Sequence, residues 1–148
     1  MKALEQATSL AYKASSKGEI PIGAVIVKNN KIIAKAYNKR EKNQIATHHA
    51  EVLAIEKANK KLKSWRLDDC DIYVTKEPCP MCAGAIANAR IKNLYYAVKD
   101  TENGGVTRFK ILSNTLNHTT NCFYVEEFEN ENLKLIQNFF KERRKNKF

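Results

Sequence analysis

"EPCPMCAGAI", residues 77–86, sets Cys79 and Cys82 three positions apart, just after the β-type run "DIYVT". A short apolar strand that stops at Glu77-Pro78 and hands over to small residues predicts a strand-to-helix junction. Residues i and i+3 share one helix face, so both sulfurs can point at one atom. The N-terminus of a helix favours negative charge and therefore thiolates. Pro78 and Pro80 suit the entry and first turn of such a helix. Two thiols at this spacing can form a redox couple, hold a metal or pack. A redox pair normally sits in a thioredoxin-like pattern, which the rest of the chain does not show, so a metal is the first expectation.

The flanking sequence predicts alternating strands and helices. Leu4, Ala7, Ala11 and Ala14 recur at helical spacing and predict a first helix. "AVIV" at 24–27 and "IIA" at 32–34 predict a hairpin turning at Asn29-Asn30, residues that tolerate positive φ. The polar stretch 39–47 reads as a loop. Thr47 reads as a helix cap, with Val52, Leu53, Ile55 and Ala58 on the buried face of the helix it opens. "NLYYAV" and "CFYVEEF" predict strands, with one of Tyr95 and Tyr96 facing in and the other out. "DTENGGVTR" reads as a loop, flexible at Gly104-Gly105, and "FKILS" as a helical turn. The final segment predicts a helix burying Leu133, Ile136, Phe139 and Phe140. Strands alternating with helices imply an α/β fold built on one sheet, in a single domain over residues 1–148.

Composition bounds the function. Among 148 residues, 26 are Lys or Arg and 16 are Asp or Glu, a formal charge of +10. That excess favours polyanionic partners, nucleic acid before an anionic membrane. No apolar run is long enough to span a bilayer, and the N-terminal residues lack the pattern of a signal or transit peptide. A cytoplasmic setting is expected, in which the four cysteines are reduced thiols or metal ligands. Cys70 and Cys122 are isolated and read as small buried filler. Trp65 reads as a packing anchor.

Two thiolates do not complete a zinc site. The third ligand is expected in "THHAEVLAI", where His49 is followed two positions later by Glu51. His-x-Glu upstream of Pro-Cys-x-x-Cys matches the signature of the zinc nucleobase deaminases. Each part has a chemical reason. Two thiolates and one imidazole leave the fourth zinc position open for water, which zinc acidifies. An unligated carboxylate beside it can shuttle the proton.

From about Met1 to Lys145 the chain resembles the bacterial tRNA-specific adenosine deaminases of the cytidine deaminase-like superfamily. The pieces that carry the resemblance are "PIGAV", Asn38, "HAE" at 49–51, "EPCPMCAGAI", "VKD", "NH" at 117–118 and "FFKERR". The resemblance implies a three-layer sandwich with a five-stranded mixed sheet flanked by helices, one Zn2+ per subunit and a homodimer. It implies conversion of a wobble adenosine to inosine in a tRNA anticodon stem-loop. Carried over, His49, Cys79 and Cys82 hold the zinc and Glu51 is the catalytic proton shuttle. Asn38 and Ala50 belong to the nucleoside pocket, and Asp100 lies near the bound loop. Arg143 and Arg144 belong to a basic C-terminal helix that approaches RNA, with Lys141, Lys145 and Lys147 beside them. Two other readings compete: a deaminase of a free base or nucleoside, and a non-catalytic zinc-stabilised RNA-binding module. Neither explains the whole pattern. A free-base enzyme needs no basic tail, and a binding module needs no Glu51.

Overall fold

The computed structural model describes residues 1–145; Lys147 of the basic tail lies outside them. Five strands form one mixed sheet in the order β2-β1-β3-β4-β5. β1 (Gly23–Lys28) and β2 (Lys31–Tyr37) form the hairpin. Its turn places Asn29 and Asn30 at φ 51° and 63°, as a two-residue turn matched to strand twist demands. β3 (Cys70–Lys76) pairs antiparallel with β1, whereas β4 (Asn93–Val98) and β5 (Asn121–Tyr124) continue parallel to β3.

Helices cover both faces. α1 (Lys2–Ser16) and α5 (Glu129–Lys145) lie on one side, where Leu4 and Ala7 meet Val25, Ala97 and Val125. On the other side α3 (Ala50–Leu62) and α4 (Pro80–Ala89) bury Ala54, Ile55, Ala58 and Ile86 against Ile26, Ile72 and Leu94. Consecutive strand residues Val25 and Ile26 enter opposite layers, as the two-residue repeat of a strand requires. Full burial of side chains such as Ile72 or Ile86 stabilises the fold by about 1.5–3 kcal/mol each. No helix among the described residues is long and apolar enough to cross a membrane.

Several local expectations change. The loop after β2 contains one helical turn, α2 (Arg40–Asn43). α3 starts at Ala50 with His49, not Thr47, at its N-cap; the Thr47 carbonyl instead accepts the His49 N–H at 2.8 Å. Val52 and Leu53 are only half-buried on that helix, and Ala50 and Ala54 take the inward face. The last strand ends at Tyr124, and Glu126–Phe128 forms a 3-10 turn. Residues 109–113 form turns and a bend, not a helix. Trp65 is 58% exposed, with the Arg66 and Arg90 guanidinium groups 5.2 and 5.7 Å from its ring. Tyr96 is buried, and Tyr95 stacks between Tyr73 and Phe123 on the other face. On α5, Phe139 is buried but Phe140 is 40% exposed. The buried polar side chain of Asn132 lies inward as well, donating to Thr8 Oγ1 and to the Phe128 carbonyl.

Candidate metal centre and substrate pocket

The site lies at one end of the sheet, where β3 and β4 run out and β1 begins. Open α/β sheets place ligands at the carboxyl ends of their parallel strands. Two helices start here, with His49 at the N-cap of α3 and Cys79 at the N-cap of α4; neither side chain hydrogen-bonds the N–H groups of the helix it caps. Both are thus free to point their donor atoms inward. His49 Nδ1 is 3.7 Å from Cys79 Sγ and 3.5 Å from Cys82 Sγ. With the usual zinc bond lengths and tetrahedral angles, a nitrogen and a sulfur on one ion are about 3.6 Å apart. Among the described residues His49, Cys79 and Cys82 are the group that could hold a metal, their ligand atoms all within 4.8 Å of one another.

The electrostatics suit a cation. A hydrogen bond from Cys82 draws the Cys79 thiol down to about 4, against the opposing effect of burial and with help from His49. Cys82, the proton holder of that pair, is pushed up by the same bond and by burial. The bond to Cys79 raises His49. The three groups thus favour ionisation of one sulfur beside an imidazole and a second thiol. A divalent ion would replace the proton they share.

Glu51 occupies the first turn of α3 and is 3% exposed. Burial pushes its carboxyl up to about 7. Its Oε1 is buried with no hydrogen-bond partner. A carboxylate oxygen left unpaired inside a protein is costly, so its presence calls for a functional partner. A metal ion held by His49, Cys79 and Cys82 would supply such a partner beside it.

Asn38, His49, Ala50, Glu51, Cys79 and Asp100 line one cavity of about 170 Å³. Ile20, Ile22, Ile136 and Phe140 supply its apolar wall. Cys82 lies behind Cys79, fully buried. Asn38 is buried, and its Oδ1 accepts the Arg40 N–H at 3.1 Å. Arg143 and Arg144 are not in this lining. Arg143 donates to the Gly18 carbonyl at 3.2 Å and lies over the Phe139 ring at 5.2 Å. Arg144 is exposed.

Glu77 was legible in the sequence only as the residue that stops β3. It is 3% exposed and organises the opposite rim. Oε1 accepts the Asp100 N–H at 3.0 Å; Oε2 accepts the N–H groups of Val106 and Thr107 at 3.0 and 2.9 Å. Thr107 Oγ1 lies 3.0 and 3.1 Å from the two oxygens. A Cβ on Gly104 would overlap the Glu77 carboxylate and the Asp100 carbonyl. The loop 100–108, expected to be flexible at Gly104-Gly105, is thus clasped there, with both glycines buried. Its Asp100 reaches Lys76 Nζ at 3.6 Å. No local pattern announces this, because the partners of Glu77 lie 23–30 residues away.

The sequence pattern of the MafB19-like deaminases matches residues 1–144. A tRNA-specific adenosine deaminase of Bacillus subtilis is 40% identical over 97% of this chain and 90% of its own length. A solved structure from studies of A-to-I editing by tRNA:A34 deaminases superposes with a TM-score of 0.85 at 35% identity, covering 90% of this chain and 98% of that one. The guanine deaminase structure from Bacillus subtilis gives a TM-score of 0.66 at 37% identity, covering 93% of this chain and 92% of that one. The sheet order and helix layers described above agree with these deaminases. On these matches the chain belongs to the MafB19-like deaminase family, among the tRNA-specific adenosine deaminases.

Proposed function

We propose that the protein hydrolytically deaminates the wobble adenosine of a tRNA anticodon loop to inosine. One observation carries the chemistry: Glu51, with its Oε1 buried and unpartnered, lines the same cavity as His49 and Cys79, on which the Cys82 sulfur also converges. The substrate rests on the relatives, which are tRNA-specific adenosine deaminases by name.

His49, Cys79 and Cys82 would hold one zinc ion, whose Lewis acidity would make water a competent nucleophile near neutral pH. Chemistry on a base requires that base out of its stack. The apolar wall of Ile20, Ile136 and Phe140 receives the extruded adenine, and Asn38 and Ala50 orient it. Glu51 takes one proton from the attacking water and delivers it to the ring nitrogen beside carbon 6. It then relays the second proton to the departing amine. The carbon–nitrogen bond breaks, ammonia leaves and a carbonyl remains. Asp100, fixed by Lys76 and the Glu77 clasp, meets the loop at the rim. The same reading carries a homodimer and a cytoplasmic setting, and the exposed Arg143 and Arg144 as RNA contacts.

Ammonia release separates the readings. A zinc-loaded sample is given an anticodon stem-loop with a wobble adenosine, and in parallel free adenosine, guanine and cytidine. Release from the stem-loop alone is expected. Release from a free base alone replaces this reading with a small-molecule deaminase. No release from any of them leaves a binding module.

A further inference from the structure

Three lysines crowd the open edge of the sheet next to the pocket. Lys13 lies in the last turn of α1, Lys39 just past β2 and Lys57 on α3. Each is held in place. The Lys13 and Lys39 ammonium groups lie 5.6 and 5.0 Å from the centre of the Tyr37 ring. Cation–π contacts of this kind hold a charge without neutralising it. Lys57 Nζ donates to the Lys35 carbonyl at 2.7 Å, on the edge strand β2. An ammonium has three donors, so two remain.

The cluster is not neutralised from within. The ion pairs among the described residues are Arg40–Glu41, Arg66–Asp68, Lys76–Asp100 and Lys145–Glu142, and none includes these three lysines. Burial and the charges of Lys39 and Lys13 lower the Lys57 pKa, so the three groups share one electrostatic field. Positioned like charges without a counter-ion fit an external anion.

The location selects the anion. Asn38 and Arg40, on either side of Lys39, both line the cavity. The Lys39 N–H donates to the His48 carbonyl, one residue before the metal ligand His49. An anion on this edge therefore sits beside whatever fills the pocket. We propose that Lys13, Lys39 and Lys57 form a phosphate-binding patch that receives the RNA backbone next to the extruded base. This rests on the RNA reading above. It adds a second, edge-on contact surface separate from the C-terminal helix.

The test is the salt dependence of RNA binding, read by fluorescence anisotropy on a labelled anticodon stem-loop. Each phosphate contact to a single strand contributes about 0.7 to the slope of log K against log salt. The K13Q/K39Q/K57Q variant should flatten that slope by about 2 and weaken low-salt binding at least about tenfold. The control K28Q/K31Q/K92Q removes the same charge at the opposite end of the sheet, where Lys28 pairs with Lys31 and Cys70 and the Lys92 N–H meets the Cys70 carbonyl. It should keep the wild-type slope. If the first triple loses its circular-dichroism signature, K39Q alone decides, with an expected flattening of about 0.7. Equal flattening by both triples, or by neither, overturns the patch. Wild-type turnover of the same stem-loop is measured alongside. Failure there with the slope difference intact overturns the deaminase reading; intact turnover with no slope difference overturns only the patch.

Discussion

Cys82 Sγ lies 3.5 Å from His49 Nδ1, although 33 residues separate them in the chain. Two helix starts, each following a different segment of the sheet's rim, bring them together. If their purpose is a metal, removing one donor must remove the ion. Cys82→Ser and His49→Ala should each lower zinc affinity by more than the 10–100-fold typical of changes outside the ligand set. Zinc content by elemental analysis after dialysis checks this, with about one ion per chain expected in the parent. Full zinc retention in both variants would sink the ligand assignment.

Glu51 should separate binding from chemistry. Glu51→Gln keeps the size of the side chain and removes its ability to relay protons. Zinc content and melting temperature should stay near the parent's, while turnover falls at least about 100-fold, the lower range for a general acid–base group. Near-parental kcat in a zinc-loaded sample would mean another group moves the proton.

Glu77 should matter for stability although it touches no ligand atom. Glu77→Gln turns an amide N–H₂ toward the donors of Val106 and Thr107, leaving like groups face to face. A buried group left unsatisfied costs about 1–3 kcal/mol. Gly104→Ala should act in the same direction, since its Cβ has no space against the Glu77 carboxylate. Urea denaturation of both variants measures the loss; unchanged midpoints would show that the clasp contributes nothing.

Asp100 carries an acid-side signature. Burial acts to raise its carboxyl, but the Asn103 N–H, Lys76 and the Glu102 N–H outweigh it and hold it below the ordinary aspartate range. A depressed folded-state value means that the unfolded chain binds more protons as acid is added. The stabilisation is thus complete above the unfolded value of about 3.9 and disappears as pH falls through the folded one. Asp100→Asn should melt below the parent at neutral pH, and the gap should close in strong acid. A gap that widens with acid would contradict the ion pair's role.

The cluster of candidate metal donors was legible because its information is local. Cys-x-x-Cys at a helix start and His-x-Glu at another are short patterns with a chemical meaning. The hairpin was legible for the same reason, since Asn29 and Asn30 accept the φ values that its turn requires. What stayed hidden depends on distant partners. Glu77 finds its donors beyond β4 and Asn132 finds Thr8 on α1. A helical repeat alone could not tell Phe139 in the core from Phe140 at the pocket wall. Arg143 is exposed, and its bond to the Gly18 carbonyl joins residues 125 positions apart, which no local pattern announces.

The most direct measurement is the identity of the wobble nucleotide after reaction. An anticodon stem-loop is incubated with zinc-loaded protein and sequenced by reverse transcription, which reads inosine as guanosine. The expected result is conversion at the wobble adenosine and at no other adenosine of the loop, abolished by Glu51→Gln. An unchanged stem-loop, with free guanine deaminated by the same sample, would contradict it.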